Sequence, residues 1–219
     1  MDAPTMKYVF VGDLHGKIDS AKAALDRDGT IVFVGDYLDS FDRSLDDQID
    51  TLLTVMNAID SGKAIGLFGN HELSYLVPHH RCSGYSFETQ QEVDRLKKRI
   101  LKTLTTHVVI NQEWFISHAG LHSYVDAAIH EENDNIQLMD TSTPWHWIGQ
   151  SRGGSNLVGG IWWCDFNEEF VPVPGLNQIF GHSARGGEAG IRSTITEDSR
   201  NYCIDCLDHH PYTFLELDL

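Results

Sequence analysis

Apolar residues in the first third of the chain come in short solid runs separated by stretches with helical spacing. Tyr8-Val9-Phe10-Val11 and Ile31-Val32-Phe33-Val34 predict two buried strands, and Ala64-Ile65-Gly66-Leu67-Phe68 predicts a third. Residues 18–25 predict a short helix between the first two strands. Leu45, Ile49, Leu52, Leu53, Met56 and Ile59 then recur at the spacing of one helix face. Such strand–helix–strand alternation predicts parallel pairing through right-handed crossovers. After Glu88, the positions Val93, Leu96, Ile100, Leu101 and Leu104 predict another amphipathic helix. Val108-Val109-Ile110 and Trp114-Phe115-Ile116, parted by Asn111-Gln112, predict a hairpin, and further strands are expected at Gln178-Ile179-Phe180, Tyr202 to Cys206 and Thr213-Phe214-Leu215.

From about 140 to 175 the period is lost, and Trp145, Trp147, Trp162, Trp163, Pro172 and Pro174 accumulate among glycines. This predicts a loop-rich insertion over the sheet, serving as a lid or a substrate wall. With no internal repeat and no linker, 219 residues predict one domain carrying that insertion. Composition leaves this picture unchanged: 41% hydrophobic and 22% charged residues support an ordinary buried core.

Charge narrows the function. A net charge of -16, from 16 Lys+Arg against 32 Asp+Glu, argues against a surface that tracks a nucleic-acid backbone. It suits a protein that binds divalent cations, although most carboxylates are solvated surface. No apolar stretch is long enough to cross a bilayer, and the first residues lack the basic start and apolar run of a secretory leader, so a cytoplasmic protein is expected. The four cysteines are too uneven for a disulfide framework and read as reduced thiols. Cys203-Ile204-Asp205-Cys206, near His209 and His210, has the spacing of half a zinc site, but the other half is missing and strand residues surround it.

Five apolar strands end in residues able to bind a metal. They run into Asp13 and His15, into Asp36, into Asn70-His71, into His118 and into His182. In open α/β sheets the carboxyl ends of strands line the binding crevice, so residues far apart in sequence can converge there. Gly12, Gly35, Gly69 and Gly181 each precede such a residue, where a tight turn is easiest without a Cβ. Any one of these residues alone reads more simply as a helix cap, a turn former or a hydrogen-bonded core histidine. Repetition at five strand ends favours ligands, and a mixture of His, Asp and Asn suits Mn2+, Fe or Zn2+ better than calcium.

The segments Gly12-Asp13-Leu14-His15-Gly16, Gly35-Asp36-Tyr37-Leu38-Asp39, Gly69-Asn70-His71-Glu72, Ser117-His118-Ala119-Gly120 and Gly181-His182-Ser183 resemble the calcineurin-like metallophosphoesterases. More narrowly, they are similar to the phosphoprotein phosphatase branch and its bacterial and phage relatives. The resemblance implies an α/β fold, a four-layer αββα sandwich with two central mixed β-sheets flanked by helices. It also implies two divalent ions, Mn2+ first, with Fe, Zn2+, Ni2+ or Co2+ as alternatives. By the same resemblance Asp13 and His15 hold the first ion, Asp36 bridges, and Asn70, His118 and His182 complete the second. His71 is then the general acid and Asp39 its orienting partner, in a reaction where a bridging hydroxide attacks phosphorus in line.

The implied substrate is a phosphomonoester: a small phosphate ester, or phosphoserine or phosphothreonine in a phosphopeptide. A hydrolase of the dinucleoside tetraphosphatase type shares the motifs, and an inactive binding module on the same fold is a third reading. Two departures matter. Ser40-Phe41 follow Asp39 where the family often has Arg-Gly, and Phe68 stands where an Arg often precedes the third motif. Arg43, Arg81, Arg152 and Arg185 are the candidate phosphate clamps, with Arg43 and Arg185 preferred.

Overall fold

A computed structural model describes residues 5–77, 80, 82–132, 136–184 and 190–219. The first predicted alternation forms as β1 (Lys7–Val11), α1 (Ile18–Leu25), β2 (Thr30–Phe33), α2 (Leu45–Asp60) and β3 (Ala64–Gly66). β1, β2 and β3 pair in parallel. The two long helices start where serine side chains satisfy their first N–H groups. At α2, Ser44 Oγ accepts from Asp47 N at 3.1 Å while Ser44 N donates back to Asp47 Oδ2 at 3.3 Å. The later helix α4 (Phe87–Thr103) is capped by Ser86 Oγ, which accepts from Thr89 N at 3.0 Å.

Between them lies α3 (Asn70–Leu76), and beyond α4 follow β4 (Val108–Ile110), β5 (Trp114–Ile116), α5 (Ser123–Glu132), β6 (Asn177–Phe180), β7 (Arg192–Ile195), β8 (Arg200–Cys203) and β9 (Leu215–Asp218). One sheet has the order β3-β2-β1-β9 and the other β4-β5-β6-β8-β7. Both are mixed, because β9, β4 and β7 join their neighbours antiparallel while β5, β6 and β8 run parallel. The β4–β5 hairpin turns at Asn111 and Gln112, which both adopt positive φ (53° and 60°), the backbone that matches strand twist.

Strand alternation builds the layers. Phe10, Val32 and Val34 from the first sheet meet Trp114, Ile116 and Ile179 from the second in an apolar layer between the sheets. Val9, Val11, Ile31 and Phe33 face the other way and pack with Leu52, Val55 and Met56 of α2. Phe115, on the outer face of the second sheet, joins the cluster holding Val125 and Ile129 of α5 and Trp145 and Trp162. The architecture is therefore helices, sheet, sheet, helices and loops.

Several elements differ from the sequence reading. The third strand stops at Gly66, and Gly69 caps helix α3 instead of ending a strand. At seven residues α3 is too short to display an apolar period. α5 and β7 are also additional. β8 begins two residues earlier than expected and ends at Cys203, and β9 begins at Leu215, beyond the turn at Tyr212. Between 140 and 175 the regular structure is two 3-10 turns, Pro144–His146 and Gln150–Arg152. Its order comes from burial of Trp145, Val158, Ile161, Trp162 and Trp163. Among the described residues no helix is long and apolar enough to cross a membrane.

Candidate metal centre

The carboxyl ends of the parallel strands converge. Asp13, His15, Asp36, Asn70, His71 and His182 line one cavity of about 420 Å³, and His118 lies fully buried behind it. Reaching this geometry strains the backbone. His15, Asp36, Asp39 and His182 all have positive φ, at 41°, 53°, 61° and 67°, a region costly for residues with a Cβ. Two glycines make room for the turns. A Cβ on Gly69 would stand 2.0 Å from Asp36 Oδ1, and one on Gly181 2.0 Å from Asp13 Oδ1.

Glu72 holds the strained Asp36 loop. Its buried carboxylate accepts from the backbone N–H of Asp36 (2.9 Å), Tyr37 (2.9 Å), Leu38 (3.3 Å) and Gly69 (3.0 Å). Burial and the nearby Asp36 push the Glu72 pKa up to about 7, against the pull of those donors. His71 N in turn donates to Asp36 Oδ1 at 3.0 Å, which aims the other oxygen into the cavity.

Asp36 Oδ2 stands 3.7 Å from His15 Nε2, 3.9 Å from His71 Nε2 and 3.3 Å from His118 Nε2. The tautomers follow from the far ring nitrogens. His15 Nδ1 donates to Leu38 O at 2.7 Å, and His118 Nδ1 to Val34 O at 2.9 Å. Each ring therefore turns Nε2 toward Asp36, where it holds a proton or, once deprotonated, offers a lone pair to a cation. Asn70 is oriented by Cys82: Asn70 Nδ2 donates to Cys82 Sγ at 3.1 Å. Its Oδ1 then lies 2.8 Å from both His118 Nε2 and His182 Nδ1.

With those ring nitrogens deprotonated, Asp36 Oδ2, Asn70 Oδ1, His15 Nε2 and His118 Nε2 are four electron-pair donors turned toward one space, an arrangement that repels itself unless a proton or a cation sits among them. Asp36 with His118 and His182, and Asp36 with His15 and His71, each place their ligand atoms within 4.8 Å of one another. The donor set fits a borderline divalent ion. Asp13 adds a carboxylate whose oxygens both accept from His182 N at 3.0 Å.

The charges are arranged accordingly. Burial opposes ionisation of Asp36, yet His118, His71 and His15 together hold its pKa well below the usual carboxylate range. Burial and the neighbouring Asp205 raise Asp13 well above it. Burial also opposes charge on His71, but Asp36 and the hydrogen-bonded Asp39 raise it to about 9, and His118 reaches about 9 beside the same Asp36. His71 Nδ1 lies 2.8 Å from Asp39 Oδ2, and the other Asp39 oxygen accepts from the Tyr75 hydroxyl.

The arginines are distributed differently from the expectation. Arg43 sits at a separate cavity with Asp47 and Tyr212, its Nε 3.7 Å from Asp42. Arg185 and Arg81 lie outside the described residues. Arg152 lines the ligand cavity, with Nε 2.7 Å from Asp165 Oδ2 and Nη2 donating to His182 O at 3.1 Å.

Glu72, Asp205 and Trp163 also belong to the site and carry no role in the sequence reading. Asp205 lies two residues past the parallel strand β8, at a sixth strand end, and lines the same cavity. Ending that strand at Cys203 in the sequence would have exposed it.

The calcineurin-like phosphoesterase family matches residues 6–186. The chain belongs to that family, whose chemistry is phosphate-ester hydrolysis with divalent metals. A probable serine/threonine-protein phosphatase of Encephalitozoon cuniculi is 26% identical over 173 residues, covering 74% of this chain and 34% of the relative. The chain therefore spans about a third of that curated relative. Among solved structures, a cold-active protein-tyrosine phosphatase of a psychrophilic Shewanella superposes with a TM-score of 0.55 at 17% identity, covering 90% of this chain and 70% of that one. This likeness establishes the fold.

Proposed function

We propose that this protein hydrolyses phosphate monoesters, including those on protein side chains, at a centre of two divalent ions. The observation that carries the reading is Asp36 Oδ2 standing among His15, His71 and His118. Asp13, His15 and Asp36 would hold the first ion, and Asp36, Asn70, His118 and His182 the second. Two such ions, Mn2+ foremost, would acidify a water for attack and would neutralise charge on the phosphate. The Asp36 and His182 turns are fixed by hydrogen bonds to Glu72 and Asp13, so little reorganisation of these ligands would accompany the reaction.

His71 acts on the leaving group. With Nδ1 bonded to Asp39, its proton for transfer sits on Nε2, the nitrogen facing the cavity. Among the described residues, Arg152 is the phosphate clamp this geometry supports best, because Asp165 and the His182 carbonyl fix the guanidinium at the wall of the ligand cavity. The complete donor set and the His71–Asp39 pair argue against an inactive binding module. The test is hydrolysis of p-nitrophenyl phosphate and of phosphopeptides by protein stripped of metal and reloaded with Mn2+. Turnover that appears with about two ions bound per chain supports the reading; turnover untouched by stripping defeats it.

A further inference from the structure

A second cavity, of about 320 Å³, adjoins the metal centre and shares His15, His71 and Asp208 with it. It contains none of Asp13, Asn70 or His182, and its outer wall is Phe41. Phe41 occupies the segment where the arginine clamp was expected, and it is 82% exposed. The ring is nevertheless carried on a fixed turn. Ser40 Oγ accepts from Arg43 N at 3.2 Å, Asp39 N donates to Gln48 Oε1 at 2.8 Å, and Gln48 Nε2 donates to Arg43 O at 3.1 Å. A large apolar ring held in water beside a catalytic cavity is the group that gains most from being covered.

The direction of the chemistry assigns this cavity. In-line displacement places the leaving oxygen opposite the attacking water and beside the proton donor. Whatever that oxygen carries must extend past His71, and the space past His71 is the one walled by Phe41. Its remaining wall is acidic. Asp39, Asp42 and Asp208 face it, against Lys17, whose amine is held 2.5 Å from Asp208, and the shared His71, whose Nδ1 is already bonded to Asp39. A leaving group that is itself a phosphate, as in a dinucleoside polyphosphate, meets like charge there. A serine side chain carries one carbon beyond its oxygen and leaves the apolar wall uncovered. A phenol fills the space and meets the Phe41 ring.

We propose that this cavity is a leaving-group subsite, and that Phe41 selects aryl phosphates, phosphotyrosine in a peptide, over alkyl ones. The proposal rests on the phosphomonoesterase reading, and two measurements separate them. The first is kcat/KM for two peptides identical except for phosphotyrosine or phosphoserine. Phe41→Ala should lower the tyrosine-to-serine ratio about tenfold, mostly through KM, whereas Phe41→Trp should keep it. Phe41 is exposed, so its replacement leaves the core intact, and a melting curve for each variant checks this.

The second measurement is calorimetric binding of phenylphosphonate and methylphosphonate to the Mn2+-loaded protein, with preference for the phenyl compound lost in Phe41→Ala. A ratio unchanged by Phe41→Ala, or equal affinity of the wild type for the two phosphonates, overturns the subsite. Inactivity toward both peptides, with the phenyl preference present and dependent on Phe41, defeats the phosphatase reading while the aryl subsite stands.

Discussion

Two histidine clusters face each other across Trp163, and the same side chain behaves differently in each. On one side His15, His71, His118 and His182 surround Asp36. On the other, His80 and His146 lie among tryptophans, with ring centroids 6.0 Å from Trp163 to His80 and 4.4 Å from Trp162 to His146. Trp163 itself is 6.0 Å from His182. Burial lowers the pKa of both His80, to about 4, and His146. In the first cluster burial acts on every ring, yet Asp36 reverses it for His71 and His118. Where burial outweighs the neighbouring charge, as it outweighs Asp140 at His146, the ring is a neutral packing residue; where carboxylates outweigh burial, it holds protons or cations.

The largest expected effect removes what distinguishes the clusters. Asp36→Asn should abolish turnover and reduce bound Mn2+ from about two ions per chain toward none, measured by elemental analysis after dialysis. Retention of both ions would dissolve the contrast, since His15 and His118 would then bind metal without their shared carboxylate. His71→Asn divides the first cluster internally. It should lower kcat by roughly 10²–10⁴-fold and leave metal content near wild type. Loss of an ion together with activity would make His71 a ligand.

Glu72 sharpens the comparison from beneath, because it holds the Asp36 loop without facing the cavity. Glu72→Ala strands four buried N–H groups. Urea unfolding of the metal-free protein should register a loss of about 3–5 kcal/mol. A loss below about 1 kcal/mol would mean that the loop is held by other contacts.

Much of this was legible in the sequence for a simple reason: parallel strands announce themselves as apolar runs, and their carboxyl ends are where chemistry collects. Asp13, Asp36, His118 and His182 could be placed together for that reason. Glu72 was harder to read, since a carboxylate that accepts backbone N–H groups looks like any first-turn helix acid until the fold brings the Asp36 loop above it. Arg152 was obscured because it lies inside the aperiodic region, where burial of Trp162 and Trp163, and no repeating pattern, sets the chain path. Asp205 was hidden inside a strand read three residues too long.

The smallest effect tests the second cluster on its own terms. His80 has a folded pKa of about 4, below the 6.5 of an ordinary imidazole. Between those values the unfolded chain takes up a proton that the folded protein refuses, so stability should fall as pH drops from 6.5 toward 4 and stop falling below that. The ceiling for such a shift is about 3 kcal/mol. A cavity of about 260 Å³ beside His80 admits water, so about 1–2 kcal/mol is the realistic loss. His71 and His118 carry the opposite sign in metal-free protein: their raised pKa adds stability that is complete below 6.5 and lost as pH rises through about 9. Urea midpoints at pH 7 and pH 5 for wild type and His80→Phe, both without metal, isolate the acid arm of the His80–His146 pair, because the titrations outside that pair are common to the two proteins. His80→Phe should flatten the loss on acidification whatever its stability at pH 7. Equal slopes would show that His80 takes up a proton among the tryptophans, and that carboxylates are not what separates the two clusters.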